Sequence, residues 1–194
     1  MVSSDILIAH DDPFYNECRA YGRLEQANLN GKVAARCHGY IAIPAEREDH
    51  LDTKFDVGVW NRPEDEYAKP AKERQPFRAI LKELLRDDRR ITHRVAKKML
   101  SDLQSIRALG VFPLDITEEN YKAGLLVDMS IAITKPNFIF DIRPKWQVQQ
   151  MQTADLRAFD SMMKDLGVKT WVRALPKKET MEKLRPRTKR ARYV

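Results

Sequence analysis

Gly110-Val-Phe-Pro-Leu-Asp115-Ile-Thr-Glu-Glu-Asn120-Tyr-Lys-Ala-Gly-Leu125-Leu-Val-Asp128-Met-Ser130 is the stretch on which the reading of this chain turns. It spaces three oxygen-bearing groups in the way phosphoryl-transfer chemistry uses them. Asp115 is a carboxylate able to take a hydroxyl proton, and Asn120 and Asp128 are an amide and a second carboxylate able to hold magnesium on phosphate oxygens. The short spacing matters because one tight loop must aim a base and a metal ligand at the same phosphate, while Leu125 to Val127 form a strand that returns the second carboxylate to it. Asp, Asn and Thr also populate ordinary surface loops, and an Asp followed five positions later by an Asn is a weak match alone. The flanking pattern, a helix before and a hairpin after, favours the chemical reading.

Upstream, Ile91 to Leu109 reads as an amphipathic helix. Ile91, Val95, Met99, Leu103 and Ile106 recur at three- and four-residue steps, and Gly110 closes it. Downstream, Pro136 to Pro144 reads as irregular or extended, and Thr153 to Leu166 as a helix capped by Thr153 with Leu156, Phe159, Met163 and Leu166 inward. Near the start, Asp11 to Glu25 reads as a helix opened by an Asp and a Pro, with Phe14, Cys18, Tyr21 and Leu24 on one face. Glu17 lies on this helix, either as a partner for a lysine or as a solvated first-turn acid. Gly22 there suggests close packing or an early helix end. Lys32 to Pro44 and Phe55 to Trp60 read as strands, Asn61 to Gln75 as a solvent loop, and Pro76 to Leu85 as either strand or helix.

With 194 residues, 43% of them apolar and 32% charged, the chain is expected to be globular. Cys18 and Cys37 make no disulfide framework or zinc spacing, which points to a reducing compartment. The first residues carry no basic leader, and no apolar run approaches membrane-spanning length, so the chain is expected to be neither secreted nor membrane-spanning. The net charge of +7 is concentrated near the end, where eight basic residues between Lys177 and Arg192 face only Glu179 and Glu182.

Asp115-Ile-Thr-Glu-Glu-Asn120 fits the D-x-x-x-x-N of the protein-kinase catalytic loop, and Asp128-Met-Ser130 stands where D-F-G would follow. Together with Glu-Cys-Arg-Ala-Tyr-Gly-Arg-Leu at 17–24, Cys-His-Gly-Tyr at 37–40 and Arg-Ala-Ile-Leu-Lys-Glu at 78–83, these segments resemble a fungal kinase-like family, the Fta-type inner-kinetochore subunits of the Sim complex. The resemblance runs from about Phe14 to Arg187. It implies an α+β, protein-kinase-like two-lobed fold with a trimmed N-lobe over residues 1–85, a reduced C-lobe over 86–170 and a basic tail over 171–194. It would make Asp115 the catalytic base, Asn120 and Asp128 the magnesium ligands, Glu17 the helix glutamate and Glu83 a residue near the hinge that meets adenine.

The departures from that pattern are chemical. Pro113 and Leu114 replace the His and Arg before the Asp, Thr117 stands where many kinases have a Lys, and Met129-Ser130 replace Phe-Gly. No G-x-G-x-x-G occurs, and no Lys precedes Glu17, so its partner lysine is expected to be missing. Each missing electrostatic element removes about 10² to 10³ in rate. The expected function is therefore a degenerate kinase-like module, a pseudokinase acting as scaffold or interaction protein at kinetochore or chromatin. Its Mg-ATP binding is expected to be weak and its phosphotransfer weak or absent. The alternative is a fragment or divergent form of an active ATP-dependent Ser/Thr-type protein kinase. Protein partners are expected, and no membrane.

Lys177 and Lys178, then Lys189, Arg190 and Arg192, form two basic clusters with bipartite nuclear-import spacing. The same side chains suit sequence-blind contact with DNA phosphates, or a solvated tail. A nuclear location is expected, with the cytoplasm as the alternative.

Overall fold

The computed structural model describes residues 10–56, 64–86 and 90–176. The fold is α+β, a set of small antiparallel sheets arranged around one long helix. In chain order the elements are α1 (Pro13–Gln26), β1 (Cys37–Ile43), α2 (Glu48–Phe55), α3 (Glu64–Tyr67), β2 (Phe77–Lys82), α4 (His93–Ala108), β3 (Val111–Phe112), β4 (Tyr121–Lys122), β5 (Leu125–Leu126), β6 (Ile133–Thr134), α5 (Ile139–Ile142), α6 (Lys145–Gln152) and α7 (Ala154–Asp165).

The apolar period of α4 makes it the central element. Ala96, Met99, Leu100, Leu103 and Ile106 are buried along one face, and the Thr92 hydroxyl accepts the Val95 amide at 3.4 Å to open the helix. Gly110, at φ +77°, turns the chain out of it. A Cβ at Gly110 would lie 3.1 Å from Lys135 Cβ, because β3 and β6 pair at this point with Val111 opposite Thr134. The core continues from α4 through Ala20, Tyr21 and Leu24 of α1, Ile116, Leu126 and Met129 of the central stretch, and Phe159, Met162 and Met163 of α7. That burial of apolar area holds the elements together.

The start of α1 follows its local signals, with Pro13 at the first turn and Asp12 Oδ1 accepting the Phe14 amide at 2.8 Å. Its inner face is rotated from the expected one: Asn16, Glu17, Ala20, Tyr21 and Leu24 are buried, while Phe14 and Cys18 are half-buried. Gly22 packs against nothing, and the helix runs past it to Gln26.

Strands β1 and β2 form a two-stranded antiparallel sheet with Tyr40 opposite Ile80 and Cys37 opposite Lys82. The ambiguous segment after Pro76 is thus a strand. Phe55 ends a helix instead of opening a strand, and Val57 to Trp60 lie outside the described residues. Between Asn61 and Gln75, Glu64–Tyr67 and Ala71–Glu73 are short helical turns. Downstream, Ile139–Ile142 is helical where an irregular or extended path was expected, and Thr153 stands at the N-cap of α7, its carbonyl accepting the Arg157 amide at 3.2 Å, with no side-chain bond to that helix. The Thr153 hydroxyl donates to the Gln149 and Gln150 carbonyls of α6 and so closes the preceding helix. No helix among the described residues is long and apolar enough to cross a membrane.

Candidate functional site

The central stretch folds as two linked devices. Asp115 follows a three-residue turn in which its amide donates to the Pro113 carbonyl at 2.6 Å across Leu114, held at φ +58°. A non-glycine residue there is under local strain, which structures tolerate where surrounding contacts over-determine it. Ile116 is buried behind the loop, so Asp115 is carried at its exposed rim. Asn120 then turns its amide nitrogen back, donating to Asp115 Oδ2 at 2.9 Å and to the Asp115 carbonyl at 3.3 Å.

The second device is the β4–β5 hairpin. Ala123 and Gly124 both have positive φ, +52° and +79°, as a tight two-residue turn requires. The pairing of Tyr121 with Leu126 continues outward with the Val127 amide donating to the Asn120 carbonyl at 2.8 Å. Asp128 is therefore one residue beyond the cross-strand neighbour of Asn120. Its Oδ1 accepts the Ser130 amide at 2.7 Å and fixes the turn that follows.

Glu17 approaches this turn from α1. It is 7% exposed, and its Oε1 accepts both the Lys82 ammonium at 2.7 Å and the Met129 amide at 3.1 Å. Lys82 Nζ also donates to the Val127 carbonyl at 2.7 Å. One buried carboxylate and one lysine thus tie α1, β2 and the segment around Asp128 into a single cluster. The expectation that Glu17 lacks a lysine is corrected: the partner comes from the strand after the helix, in the Arg78 to Glu83 segment, and is aimed inward by the sheet register. Because that segment was ambiguous between strand and helix, the direction of Lys82 was not readable.

Glu83, next in sequence, faces elsewhere. Its Oε1 accepts the Arg36 amide at 2.6 Å, and its own amide donates to the Arg36 carbonyl at 2.8 Å. The carboxylate thus fastens the end of β2 to the segment entering β1. Lys177, Lys178, Lys189, Arg190 and Arg192 lie outside the described residues.

Cavities open on the surface of the described residues. One of about 860 Å³ lies between α1 and β2, lined by Phe14, Glu17, Phe77, Arg78, Ile80 and Ser130 among others. One of about 600 Å³ gathers Leu114, Ile131, Ile133, Ile139 and Ile142. A third, of about 610 Å³, lies at the start of α4 between Arg90, His93, Tyr121 and Lys169. Asp115, Asn120 and Asp128 line none of these. No group of three or more His, Cys, Asp or Glu side chains among the described residues is placed to hold a metal ion. Any cation held here would therefore depend on the Asp128 carboxylate, the Asn120 amide oxygen and a ligand's own phosphates, a donor set that would suit magnesium on a nucleotide better than a free ion.

The arrangement defines a mixed α+β domain with a polar cluster at the junction of α1, the β1–β2 sheet and the segment that follows the β4–β5 hairpin. Residues 3–133, more than half of the chain, match the family described as kinetochore Sim4 complex subunit FTA2, and the chain belongs to that family. No curated protein and no solved structure matches it.

Proposed function

We propose that the chain is a structural subunit of a kinetochore-type assembly, built on a trimmed protein-kinase-like fold whose nucleotide site is degenerate. The family supports the assembly role, and with it protein partners and a nuclear location. The observation that carries the kinase-like part is the Glu17 carboxylate bonded at once to Lys82 and to the Met129 amide, directly after Asp128. In protein kinases a helix glutamate holds the lysine that meets the nucleotide phosphates. Lys82 donates two of its three N–H groups to Glu17 and Val127, and the third is free in direction to meet a phosphate.

On this reading Asn120, whose amide nitrogen is spent on Asp115, would hold magnesium through its carbonyl oxygen, and Asp128 through the carboxylate oxygen not bonded to Ser130. Asp115 would receive the proton of an attacking hydroxyl. Bound Mg-ATP would supply the phosphoryl group and the charge that organises it. Two features keep the site weak: Pro113 and Leu114 replace the basic pair of the loop, and no G-x-G-x-x-G occurs in the sequence. Losing several electrostatic elements at about 10² to 10³ each leaves little catalysis. The second reading, an active protein kinase in divergent or partial form, is favoured by the Asp115–Asn120 bond, since a loop of that kind could still orient a base.

Thermal denaturation with Mg-ATP separates these. A ligand at a hundredfold excess over its dissociation constant stabilises the folded state by about 2.7 kcal/mol. A site that binds nucleotide gives the wild type a rise of several degrees that Asp128→Asn loses. No shift in either protein leaves the assembly role alone standing. Robust phosphoryl transfer abolished by Asp115→Ala would instead establish the kinase.

A further inference from the structure

The segment after α7 folds back on the start of α4. His93 Nδ1 and Thr170 Oγ1 are 2.6 Å apart, and the His93 ring lies 4.1 Å from the Trp171 indole at a tilt of 44°. This contact joins two stretches of the same sign. Residues 90–98 hold Arg90, Arg94, Lys97 and Lys98 with no acidic residue, and 164–176 hold Lys164, Lys169 and Arg173 against Asp165. Together with residues 177–194 they carry a net charge of +12, against +7 for the whole chain, so all the rest is net negative. Positive charge is therefore not confined to the tail. It extends onto one side of the folded domain, where residues 90–98 and 164–176 meet.

These side chains are available. Lys98 is paired with Asp102, but among the described residues Arg90, Arg94, Lys97 and Lys169 make no ion pair. Arg90, His93 and Lys169 line the cavity of about 610 Å³, with Glu118 as the acidic group on its wall. Lys97 follows His93 by one helical turn, so it lies on the same side of α4. Beside the cavity Trp171 is 83% exposed, with His93 against its ring. A large indole left in water among unpaired cations is the pairing of groups that single-stranded nucleic acid uses, cations for the phosphates and an aromatic face for a base. Duplex bases are already stacked and would leave the indole unused, as would an acidic peptide.

We propose that this face binds single-stranded nucleic acid without sequence preference. Arg90, Arg94, Lys97 and Lys169 meet the phosphates, and one unpaired base stacks on Trp171.

The test is fluorescence anisotropy of the full chain with a labelled oligothymidylate of about twelve nucleotides, across a salt series. Affinity should fall linearly with salt on logarithmic axes. Trp171→Ala should weaken binding about tenfold or more with the salt slope unchanged, and Trp171→Phe should restore most of it. Arg90→Ser with Lys169→Ser should lower the slope by about 1.4, roughly 0.7 for each lost phosphate contact. Arg90, Lys169 and Trp171 are all at the surface or on a cavity wall, and an unchanged melting temperature verifies that the variants fold. The proposal is overturned if Trp171→Ala binds like the wild type, because the contact then belongs to the charges alone. Equal affinity for a duplex of the same length, or equal competition by polyglutamate at matched charge, would also overturn it.

Discussion

The hydroxyl of Tyr21 is buried on the inner face of α1 with no hydrogen-bond partner among the described residues. Burial, and after it the neighbouring Glu17 carboxylate, pushes its pKa well above the ordinary phenol value, and burial does the same to Tyr121. Above about pH 10 the unfolded chain gives up these protons while the folded chain keeps them. The unfolded state then binds fewer protons, so stability present below pH 10 is lost as pH rises, by about 1.4 kcal/mol per pH unit for each phenol. Tyr21→Phe removes the unpaired hydroxyl, and should raise stability by about 1 kcal/mol at neutral pH and lower the alkaline slope by about 1.4 kcal/mol per pH unit. Urea denaturation at about pH 7 and about pH 11 measures both. Glu17 and Lys82 are the opposite case, a buried acid that has its partner. Each of Glu17→Gln and Lys82→Met should cost about 2 kcal/mol, below the usual range for a fully buried pair because the lysine side chain is 25% exposed. A double-mutant cycle should return a coupling above about 1 kcal/mol, and additive losses would mean the two do not act together. Sequence alone identified Glu17 as a candidate but could not find Lys82. The partner was sought before the helix, whereas the pairing depends on a strand register that no local pattern encodes.

Among the elements, the long helices were legible because capping and period agree. Asp12-Pro13 opens α1, Thr92 opens α4, and the apolar spacing of α4 survives as its buried face. The two-residue strands β3 to β6 were legible only in part, since so short a strand has no period and exists because a partner strand is held beside it. Thr153 shows the same limit. A Thr before an apolar-periodic run can cap the helix that follows, but here the preceding helix is near enough to take its hydroxyl. The β4–β5 turn gives this scale its test. Gly124→Ala should cost about 1–2 kcal/mol, because the residue sits at φ +79° and the new Cβ would lie 3.3 Å from Val95 Cγ1. Ala123→Gly, at φ +52° with no special need for a methyl group, should be neutral or stabilising by up to about 1 kcal/mol. Thermal denaturation of the two variants checks the pair. Since Asn120 and Asp128 flank this hairpin, the Gly124 variant should also lose any Mg-ATP shift.

For the whole molecule, sequence revealed the α+β class and the excess of positive charge, but not how that charge is distributed in space. The unevenness along the chain was visible; that the 90–98 and 164–176 stretches meet at His93 and Trp171 is a property of the fold. The family match ends at residue 133, so α5 to α7 and the basic segment lie beyond it. Nuclear import through residues 177–194 is testable by itself. A reporter fused to residues 171–194 should accumulate in the nucleus, and replacing Lys189, Arg190 and Arg192 with Ala should return it to the cytoplasm. Unchanged nuclear accumulation in that variant would assign import to another segment.

The Glu17 bond to Met129 spans 112 residues, as does the bond from Arg23 to the Lys135 carbonyl. During synthesis at about 5–20 residues per second, the contacts that seat α1 are made only some 6–22 s after the helix itself has been polymerised. Throughout that interval the nascent chain carries the apolar face of α1 without the full set of its permanent neighbours. During that interval the inner face of α1 is open to chaperone contact.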